Sequence, residues 1–265
     1  MNFSNNIIIM LPHQDDEIAL LPYLDILKKN INLKIIYLTR HKSKKVNIRR
    51  NAESKKVLKK LGIDDKKIIF LGAQKNIIDQ FLYKNINTVT KYLLENKNII
   101  TSDKNTTLLT TSYEGGHPDH DAAFIICMQI YQKMKYIKFL SFPLYNSESI
   151  FFPFQAFKNL KRYQKQIIEI QFSIKKTYLY FNLIFNYRSQ LKTIFFLLPF
   201  FTYRCLIKRK FILIRHNKTE NIEDKAHEGK LLYEKRGWLT YSQFKNQAFK
   251  SSLIFPVRSI DDPFT

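Results

Sequence analysis

The chain has 265 residues, of which 45% are hydrophobic, so it can build a large α/β core and is not globally disordered. Its 44 lysines and arginines against 22 acids give a formal charge of +22, which attracts polyanions such as nucleic acid, anionic lipid or acidic glycan. A lysine-rich composition without functional meaning is the alternative explanation. Because only Cys127 and Cys205 occur and no CxxC pair is present, we do not expect a disulfide framework. We expect a reducing, cytoplasmic compartment instead.

The apolar segments do not indicate export or membrane insertion. The first residues lack the basic region of a signal peptide. No stretch reaches the roughly 18 apolar residues that are needed to span a bilayer. The nearest approach, residues 193–207, is interrupted by Pro199 and Arg204.

Short apolar runs alternate with helical patterns over the first 145 residues. The run NIIIML is a β-branched strand, and the spacing of Ile18, Leu21, Leu24 and Leu27 is typical of a helix. Strands are predicted at 6–11, 33–39, 67–72, 106–112 and 135–143, and helices at 16–30, 47–62, 77–96 and 118–134. Such alternation predicts an α/β fold with a mainly parallel sheet and helices on both faces.

Two polar clusters directly follow predicted strands. PHQDDE, at 12–17, comes after the first strand, and YEGGHPDH, at 113–120, comes after the fourth. In open parallel sheets the ligand site lies outside the carboxyl ends of the strands. We therefore expect the two clusters to meet at one edge of the sheet.

The residue types in these clusters suit a divalent metal ion. Catalytic zinc sites use three protein ligands and leave one position open. His13 and Asp16 can both point at one ion, and His120 can complete the set from the other cluster. Mg²⁺ on carboxylates is the rival, but Mg²⁺ avoids histidine-rich sites. The alternative is that the histidines are satisfied polar residues and that the acids favour a helix N-terminus.

The two clusters resemble a known family. PHQDDE and GHPDHDAA are similar to the signature motifs of the PIG-L/LmbE-like zinc-dependent N-acetylglucosamine deacetylases, whose usual forms are close to P-H-P-D-D-E and H-P-D-H. The intervening text, LKIIYLTRHK…IRRNAESKKVLKKLG, is similar to that family's strand, Thr turn and R-x-x-E helix. The resemblance covers roughly residues 5–145. It implies a Rossmann-like fold and a metal-dependent amidohydrolase, a carbohydrate N-deacetylase.

The resemblance implies a division of labour in the first motif. His13, Asp16 and His120 become the ligands of one Zn²⁺ per chain, although other divalent ions are possible. Asp15 becomes the general base that takes a proton from water. Glu17 caps or braces the start of the helix.

The resemblance also implies roles outside the metal set. Protonated His117, with Asp119 beside it, would stabilise the oxyanion or act as a general acid. Arg50 would contact the substrate, with Arg49 as the alternative. Tyr113 lies four residues before His117 and is out of register with a tyrosine that some members of the family carry.

The composition changes after residue 145. We predict a catalytic core at 1–145 and a basic, aromatic-rich elaboration at 146–265 that completes the domain. Residues 151–215 contain 13 basic residues, one acid and 17 aromatics. They could form an ordinary helical subdomain or a surface that contacts anionic lipid at the inner face of the membrane. The substrate is expected to be an N-acetylated amino sugar, possibly lipid-linked, in glycan or glycolipid biosynthesis.

Non-enzymatic alternatives follow from the same composition. A non-catalytic membrane-surface or nucleic-acid-binding protein would use basic and aromatic side chains together. No specific nucleic acid is expected, because no RNA-recognition, KH or zinc-finger signature is present. Another metal-dependent hydrolase on the same fold is a third possibility.

Overall fold

The computed structural model describes residues 6–100, 105–135, 137–148 and 154–249, and within these ranges one seven-stranded sheet organises the chain. The strands are β1 (Asn6–Leu11), β2 (Asn32–Tyr37), β3 (Ile68–Ile69), β4 (Thr106–Thr111), β5 (Ile137–Phe142), β6 (Tyr145–Asn146), β7 (Gln155–Ala156), β8 (Ile167–Gln171) and β9 (Lys210–Arg215). The sheet order is β3-β2-β1-β4-β5-β9-β8, while β6 and β7 form a separate two-stranded ribbon.

The path of the chain across the sheet reverses beside β1. The chain runs from β1 outward through β2 to β3, then returns to place β4 on the other side of β1, followed by β5. These five strands are parallel, whereas β9 pairs with β5 in antiparallel orientation and β8 pairs with β9 in antiparallel orientation. A ligand site is expected where the strand order reverses, at the carboxyl ends of β1 and β4.

Helices cover both faces of the sheet, as predicted. They are α1 (Leu21–Leu27), α2 (Lys44–Leu61), α3 (Leu71–Gln74), α4 (Ile86–Glu95), α5 (Pro118–Lys133), α6 (Ile174–Ile184), α7 (Leu191–Thr202), α8 (Leu232–Lys235) and α9 (Tyr241–Ala248). Alternate residues of β1 serve the two layers: Ile8 and Met10 pack toward α4 and α5, whereas Ile7 and Ile9 pack toward α1, α2 and α6. The predicted α/β fold with a mainly parallel sheet is therefore confirmed.

The predicted helix at 77–96 is wrong in its first part, because α4 begins only at Ile86. The backbone of Arg40 pairs with Ile77 and Asp79, through bonds of 2.8 and 2.9 Å, and this holds the segment extended. Gln80 has a positive φ of 74° that a helix cannot contain. The apolar pattern of the segment reflects burial against the sheet rather than helical periodicity.

Two other predicted elements are shorter than expected. The strand at 67–72 is reduced to β3, because α3 begins at Leu71. The helix at 16–30 divides into a 3₁₀ turn, Asp16–Leu20, and α1, which has Pro22 in its first turn. The other predicted strands and helices agree with the structure within a few residues at each end.

Helical structure in the C-terminal region continues through Pro199. Pro199 lies inside α7, and a π-helical turn, Tyr203–Lys208, follows directly. The stretch Arg188–Lys208 has 21 residues and contains an 18-residue window with a mean hydropathy of 1.2, so length and composition alone would allow it to cross a membrane. One side of it packs on the domain, because Ile194, Phe201 and Cys205 are buried.

Candidate active site

The turn after β1 is held in a strained conformation. Asp15 has a φ of 143°, a region that L-residues rarely adopt and that costs about 1–3 kcal/mol unless its surroundings impose it. The backbone N–H of Asp15 donates to Glu17 Oε2 at 3.0 Å, and the N–H of His13 donates to Asp16 Oδ2 at 2.7 Å. These bonds set the directions of the Glu17 and Asp16 carboxylates.

Glu17 supports this turn from the inside of the protein. Its side chain is fully buried, and its Oε1 accepts hydrogen bonds from the hydroxyls of Tyr37, at 2.7 Å, and Tyr187, at 2.8 Å. Burial raises the pKa of Glu17, although these hydrogen bonds oppose the shift. Glu17 therefore braces the backbone of Asp15, and the hydrogen bond from Tyr187 connects Glu17 to the C-terminal region.

The second cluster lies at the start of α5. His117 caps the helix, and its Nδ1 accepts the backbone N–H of Asp119 at 3.1 Å. A Cβ at Gly116 would lie 1.9 Å from the carbonyl oxygen of Tyr145, so only glycine fits this close approach. His120, one turn into α5, is completely buried.

The two clusters meet at the carboxyl ends of β1 and β4, as the spacing predicted. His120 Nε2 lies 3.2 Å from Asp16 Oδ1, and His13 Nδ1 lies 3.4 Å from Asp16 Oδ2. One ring nitrogen from each of His13, His117 and His120 also lies within 4.8 Å of the other two. Neither ring nitrogen of His120 has a hydrogen-bond partner among the described residues. The donor set, and a buried imidazole whose ring nitrogens make no hydrogen bond, fit a metal ion.

The electrostatics of the cluster shift the pKa values of Asp15 and Asp16 in opposite directions. Burial raises the pKa of Asp16, but His120 and His13 outweigh it and hold that pKa far below the usual range. Burial and the neighbouring Asp16 carboxylate raise the pKa of Asp15 well above the usual range. Asp16 therefore stays anionic, while Asp15 is a stronger base than a free carboxylate.

Asp79 belongs to the site but was missed in the sequence. Its Oδ1 lies 3.1 Å from His13 Nε2 and 3.9 Å from His117 Nε2, and its Oδ2 lies 3.7 Å from Arg50 Nη1. The signal was weak, because Asp79 comes seven residues after the end of the third predicted strand, whereas the two clusters follow their strands directly. The helix predicted over 77–96 concealed it.

The Asp119 carboxylate contacts both His13 and the loop that carries Asp79. Its carboxylate accepts the backbone N–H groups of Gln80, at 2.6 Å, and Leu82, at 2.9 Å, and lies 3.2 Å from His13 Nε2. It contacts His117 only through its own backbone N–H. Asp119 therefore orders the loop and orients His13.

Arg50, rather than Arg49, faces the site. Only 15% of the Arg50 side chain is exposed, and it lines the cleft described below, whereas Arg49 is 57% exposed and pairs with Glu53 at 3.1 Å. Tyr113 points away from the site, because its hydroxyl donates to the carbonyl of Asp224 at 3.1 Å. Tyr145 takes the position beside the metal cluster, with its ring centroid 5.2 Å from that of His120.

The expected protonated form of His117 is not supported. Burial, followed by the neighbouring His13 and His120, lowers the pKa of His117 well below its usual value. Because Nδ1 accepts a hydrogen bond from Asp119, the neutral ring carries its proton on Nε2, which points toward the cleft.

A cleft of about 500 Å³ opens above the two clusters. Its floor is formed by the N-terminal residues His13, Asp15, Asp16, Arg50, Asp79 and His117. Its walls come from β6, from α7 and from the segment after α8, and include Tyr145, Lys192, Phe196, Leu197, Arg236 and Trp238. None of these wall residues was singled out as a site residue in the sequence.

Fold and site together define an α/β protein with a buried His/Asp cluster that could hold a metal ion. Residues 8–131 match the model of the PIG-L family, described as GlcNAc-PI de-N-acetylase. Residues 8–131 are therefore a PIG-L-type region, and this match supports an enzyme of the carbohydrate N-deacetylase class. No curated protein matches the chain in sequence.

Solved structures show the same fold. A deacetylase of teicoplanin biosynthesis is 11% identical, with a TM-score of 0.52 over 80% of this chain and 99% of that chain. N,N′-diacetylchitobiose deacetylase from Pyrococcus horikoshii is 14% identical, with a TM-score of 0.50 over 81% of this chain and 85% of that chain. A conserved protein from Thermus thermophilus is 13% identical, with a TM-score of 0.52 over 82% of this chain and 96% of that chain.

Proposed function

We propose that this enzyme is a zinc-dependent N-deacetylase that hydrolyses the acetamide of an N-acetylated amino sugar in a glycan or glycolipid biosynthetic pathway. The observation that carries the zinc assignment is His120, which is completely buried and makes no hydrogen bond through either ring nitrogen among the described residues, while the Asp16 carboxylate lies 3.2 Å from its Nε2. Buried ring nitrogens without hydrogen bonds are unfavourable, and coordination to a metal removes that cost.

His13, Asp16 and His120 are proposed to hold the ion, which leaves a fourth position open. Zinc bound there supplies Lewis acidity, which polarises an amide carbonyl and makes water more acidic. His117 is assigned to the chemistry instead, because its Nδ1 is already used by the Asp119 N–H.

Asp15 is proposed to be the general base. Its raised pKa makes it a stronger base than a free carboxylate, and its strained backbone holds the carboxylate in the cleft. The carboxylate takes the proton from the attacking water and can pass it to the departing amine. Breaking the C–N bond then releases acetate and the free amino sugar.

Neutral His117 is proposed to stabilise the charge that develops on the carbonyl oxygen. Its Nε2–H can donate a hydrogen bond to that oxygen, and the Asp119 N–H fixes the required tautomer. Asp119 itself is proposed to position His13 and the loop of Asp79. Arg50 is proposed to contact the substrate.

The test combines metal analysis with a product assay. Purified enzyme should contain about one zinc per chain, by the three-ligand argument above. Mass spectrometry of N-acetylated sugars incubated with the enzyme should show the loss of one acetyl group. Bound zinc without acetyl loss from any amino sugar would favour another metal-dependent hydrolase on this fold. An enzyme that deacetylates fully without any metal would refute the zinc proposal.

We also propose that the enzyme works in the cytoplasm, at the anionic inner face of a membrane, on a lipid-linked sugar. The supporting feature is an apolar face along α7 and the π-helical turn, which is called the α7 face. Phe195 and Phe196 are 74% and 66% exposed, and Ile207 is 66% exposed. Exposed Lys192, Lys208 and Arg209 flank them, and aromatic residues beside basic ones suit a headgroup boundary.

The α7 face is continuous with the cleft. Phe196 and Lys192 lie on the exposed helix and also line the cleft above Asp15. A sugar attached to a lipid could therefore enter the cleft while its lipid stays in the bilayer. Each basic residue near an anionic surface contributes about 1 kcal/mol, so the binding should weaken with salt.

Flotation with vesicles of mixed zwitterionic and anionic phospholipid tests this proposal. Replacing Lys192, Lys208 and Arg209 with Gln should abolish flotation at low salt. The control replaces Lys91 and Lys97, which are exposed near α4 on the opposite face of the sheet, and should float normally. If the wild-type protein does not float, or if the triple variant floats like the control, the membrane proposal fails and the α7 face has another role.

A further inference from the structure

The segment from Leu231 to Trp238 packs directly on the loop of the second motif. The N–H of Leu232 donates to the carbonyl of Gly115 at 2.8 Å. Gly115 has a φ of 68°, and a Cβ there would lie 2.5 Å from Leu231 Cδ2. The segment lies outside the residues that match the family, yet its position is fixed relative to His117.

A left-handed turn after α8 places an aromatic ring at the cleft. Gly237 has a φ of 68°, and the N–H of Trp238 donates to the carbonyl of Tyr233 at 3.1 Å. The Trp238 ring meets the His117 ring edge-on, with a centroid distance of 5.1 Å and an interplanar angle of 70°. Trp238 is still 41% exposed. A large ring left open beside a catalytic histidine offers an apolar face to a ligand.

Arg236 lies over two aromatic rings in the cleft wall. Its guanidinium carbon is 4.9 Å from the centroid of Trp238 and 5.7 Å from that of Tyr145. Within residues 6–100, 105–135, 137–148 and 154–249, neither Arg236 nor Lys192 forms an ion pair. The cleft therefore has acids on its floor and available cations in its wall.

We propose that Trp238 and Arg236 form a recognition subsite for an acetamido sugar that carries a phosphate. The Trp238 ring packs against the apolar face of the sugar ring and holds its acetamide near His117. Arg236 pairs with the phosphate, for which a guanidinium supplies two parallel donors, and Lys192 adds charge from the other wall. This subsite rests on the proposed N-deacetylase function and specifies the substrate class of that function.

Trp238 is the sole tryptophan of the chain, so its emission reports directly on the subsite. The titrations use zinc-loaded enzyme with Asp15→Asn, which prevents turnover. N-acetylglucosamine 1-phosphate should change the emission and bind at least about tenfold more tightly than N-acetylglucosamine, as expected for a charge-assisted bidentate pair. Adding Arg236→Gln should make the two sugars bind alike. Adding Arg215→Gln instead, at an exposed arginine of β9, should keep the preference.

Calorimetry measures how the Trp238 ring contributes to affinity, because variants at this position lose the fluorescent reporter. Trp238→Ala should weaken both sugars by about tenfold, as expected for the loss of a large packed aromatic surface, whereas Trp238→Phe should retain most of the affinity. A lipid ester of the sugar phosphate in vesicles identifies the source of the phosphate. Tighter binding of the ester indicates a lipid-linked ligand, and equal binding indicates a soluble one.

Three outcomes would overturn the subsite: equal affinity for the two sugars in the parent enzyme, a preference that survives Arg236→Gln, or affinities that are unchanged in Trp238→Ala. Failure of the proposed function is a separate result. If wild-type enzyme binds the sugar phosphate through Trp238 but never releases acetate, the subsite stands and the deacetylase assignment falls.

Discussion

The region from residue 6 to 146 and the region from 154 to 249 both line the cleft, but with side chains of opposite character. The first contributes buried groups such as His13, Asp16 and His120, which are fixed by strand ends and by the start of α5. The second contributes exposed groups, including Phe196 and Trp238. The difference indicates that the N-terminal region provides the reaction and the C-terminal region selects what reaches it.

The two regions are nevertheless joined at the site. Tyr187 donates to Glu17, and the N–H of Ser189 donates to Glu53 Oε1 at 3.0 Å. Strands β8 and β9 also extend the sheet that β1 begins. The predicted division at residue 145 stays a prediction, but the active site depends on residues from both sides of it.

The largest effect should come from removing a proposed metal ligand of the N-terminal region. His120→Ala should lose zinc and reduce deacetylation to background, because its imidazole is completely buried beside Asp16. Elemental analysis measures the zinc. The matched control is His227→Ala, which changes a histidine whose Nδ1 contacts the carbonyl of Glu228 and should keep zinc. Full zinc in His120→Ala would show that the ligand assignment is wrong.

The next effect separates metal binding from chemistry within the same turn. Asp15→Asn should keep zinc yet lose about 10²-fold or more in kcat, as expected for a lost general base. Asp65→Asn, at an exposed position, should change neither quantity. A zinc-loaded Asp15→Asn enzyme with normal turnover would remove Asp15 from the mechanism.

A smaller effect would show whether the C-terminal region also supports the reaction itself. Tyr187→Phe removes one donor to Glu17, while Tyr37 keeps the other. The loss of one buried hydrogen bond should cost about 1 kcal/mol of folding free energy. Because Glu17 braces Asp15, kcat should fall severalfold, with KM and zinc content unchanged. A fall in stability without any change in kcat would restrict Tyr187 to a structural role.

The smallest effect concerns the contact between α1 and α6. Asp25 accepts hydrogen bonds from Lys28, at 2.9 Å, and from Tyr180, at 3.3 Å, and pairs with Lys176 at 2.7 Å. Burial raises the pKa of Asp25, but the two lysines outweigh it and lower that pKa overall. Asp25→Asn should therefore reduce stability by about 1 kcal/mol, since the lysines are partly exposed.

The pH dependence of this effect has a definite sign. Because the folded pKa is lowered, the stabilisation by Asp25 is fully present above the ordinary carboxyl pKa of about 4 and is lost as pH falls through the folded value. Denaturation midpoints of wild type and Asp25→Asn should converge toward acid. A difference that is constant with pH would mean that the charge of Asp25 does not contribute.

Much of the N-terminal half of the site could be predicted because its signals are local. An apolar run marks each strand, and the polar residues that follow it must lie at the carboxyl end of a parallel sheet. The positions of His13, Asp16 and His120 follow from that reasoning. Asp79 does not follow its strand directly, and its segment is held extended by Arg40 from another loop, which no local pattern shows.

The sequence by itself determined the α/β alternation, the two polar clusters and the cleft edge at which they meet, because each depends on short apolar runs and neighbouring turn residues. Only the tertiary structure decided which distant residues complete the site. Tyr187 reaches Glu17 across 170 positions, and Trp238 reaches His117 after a left-handed turn at Gly237. Such contacts form when whole layers pack together, and no local pattern of residues encodes which side chain will fill the space above a strand end.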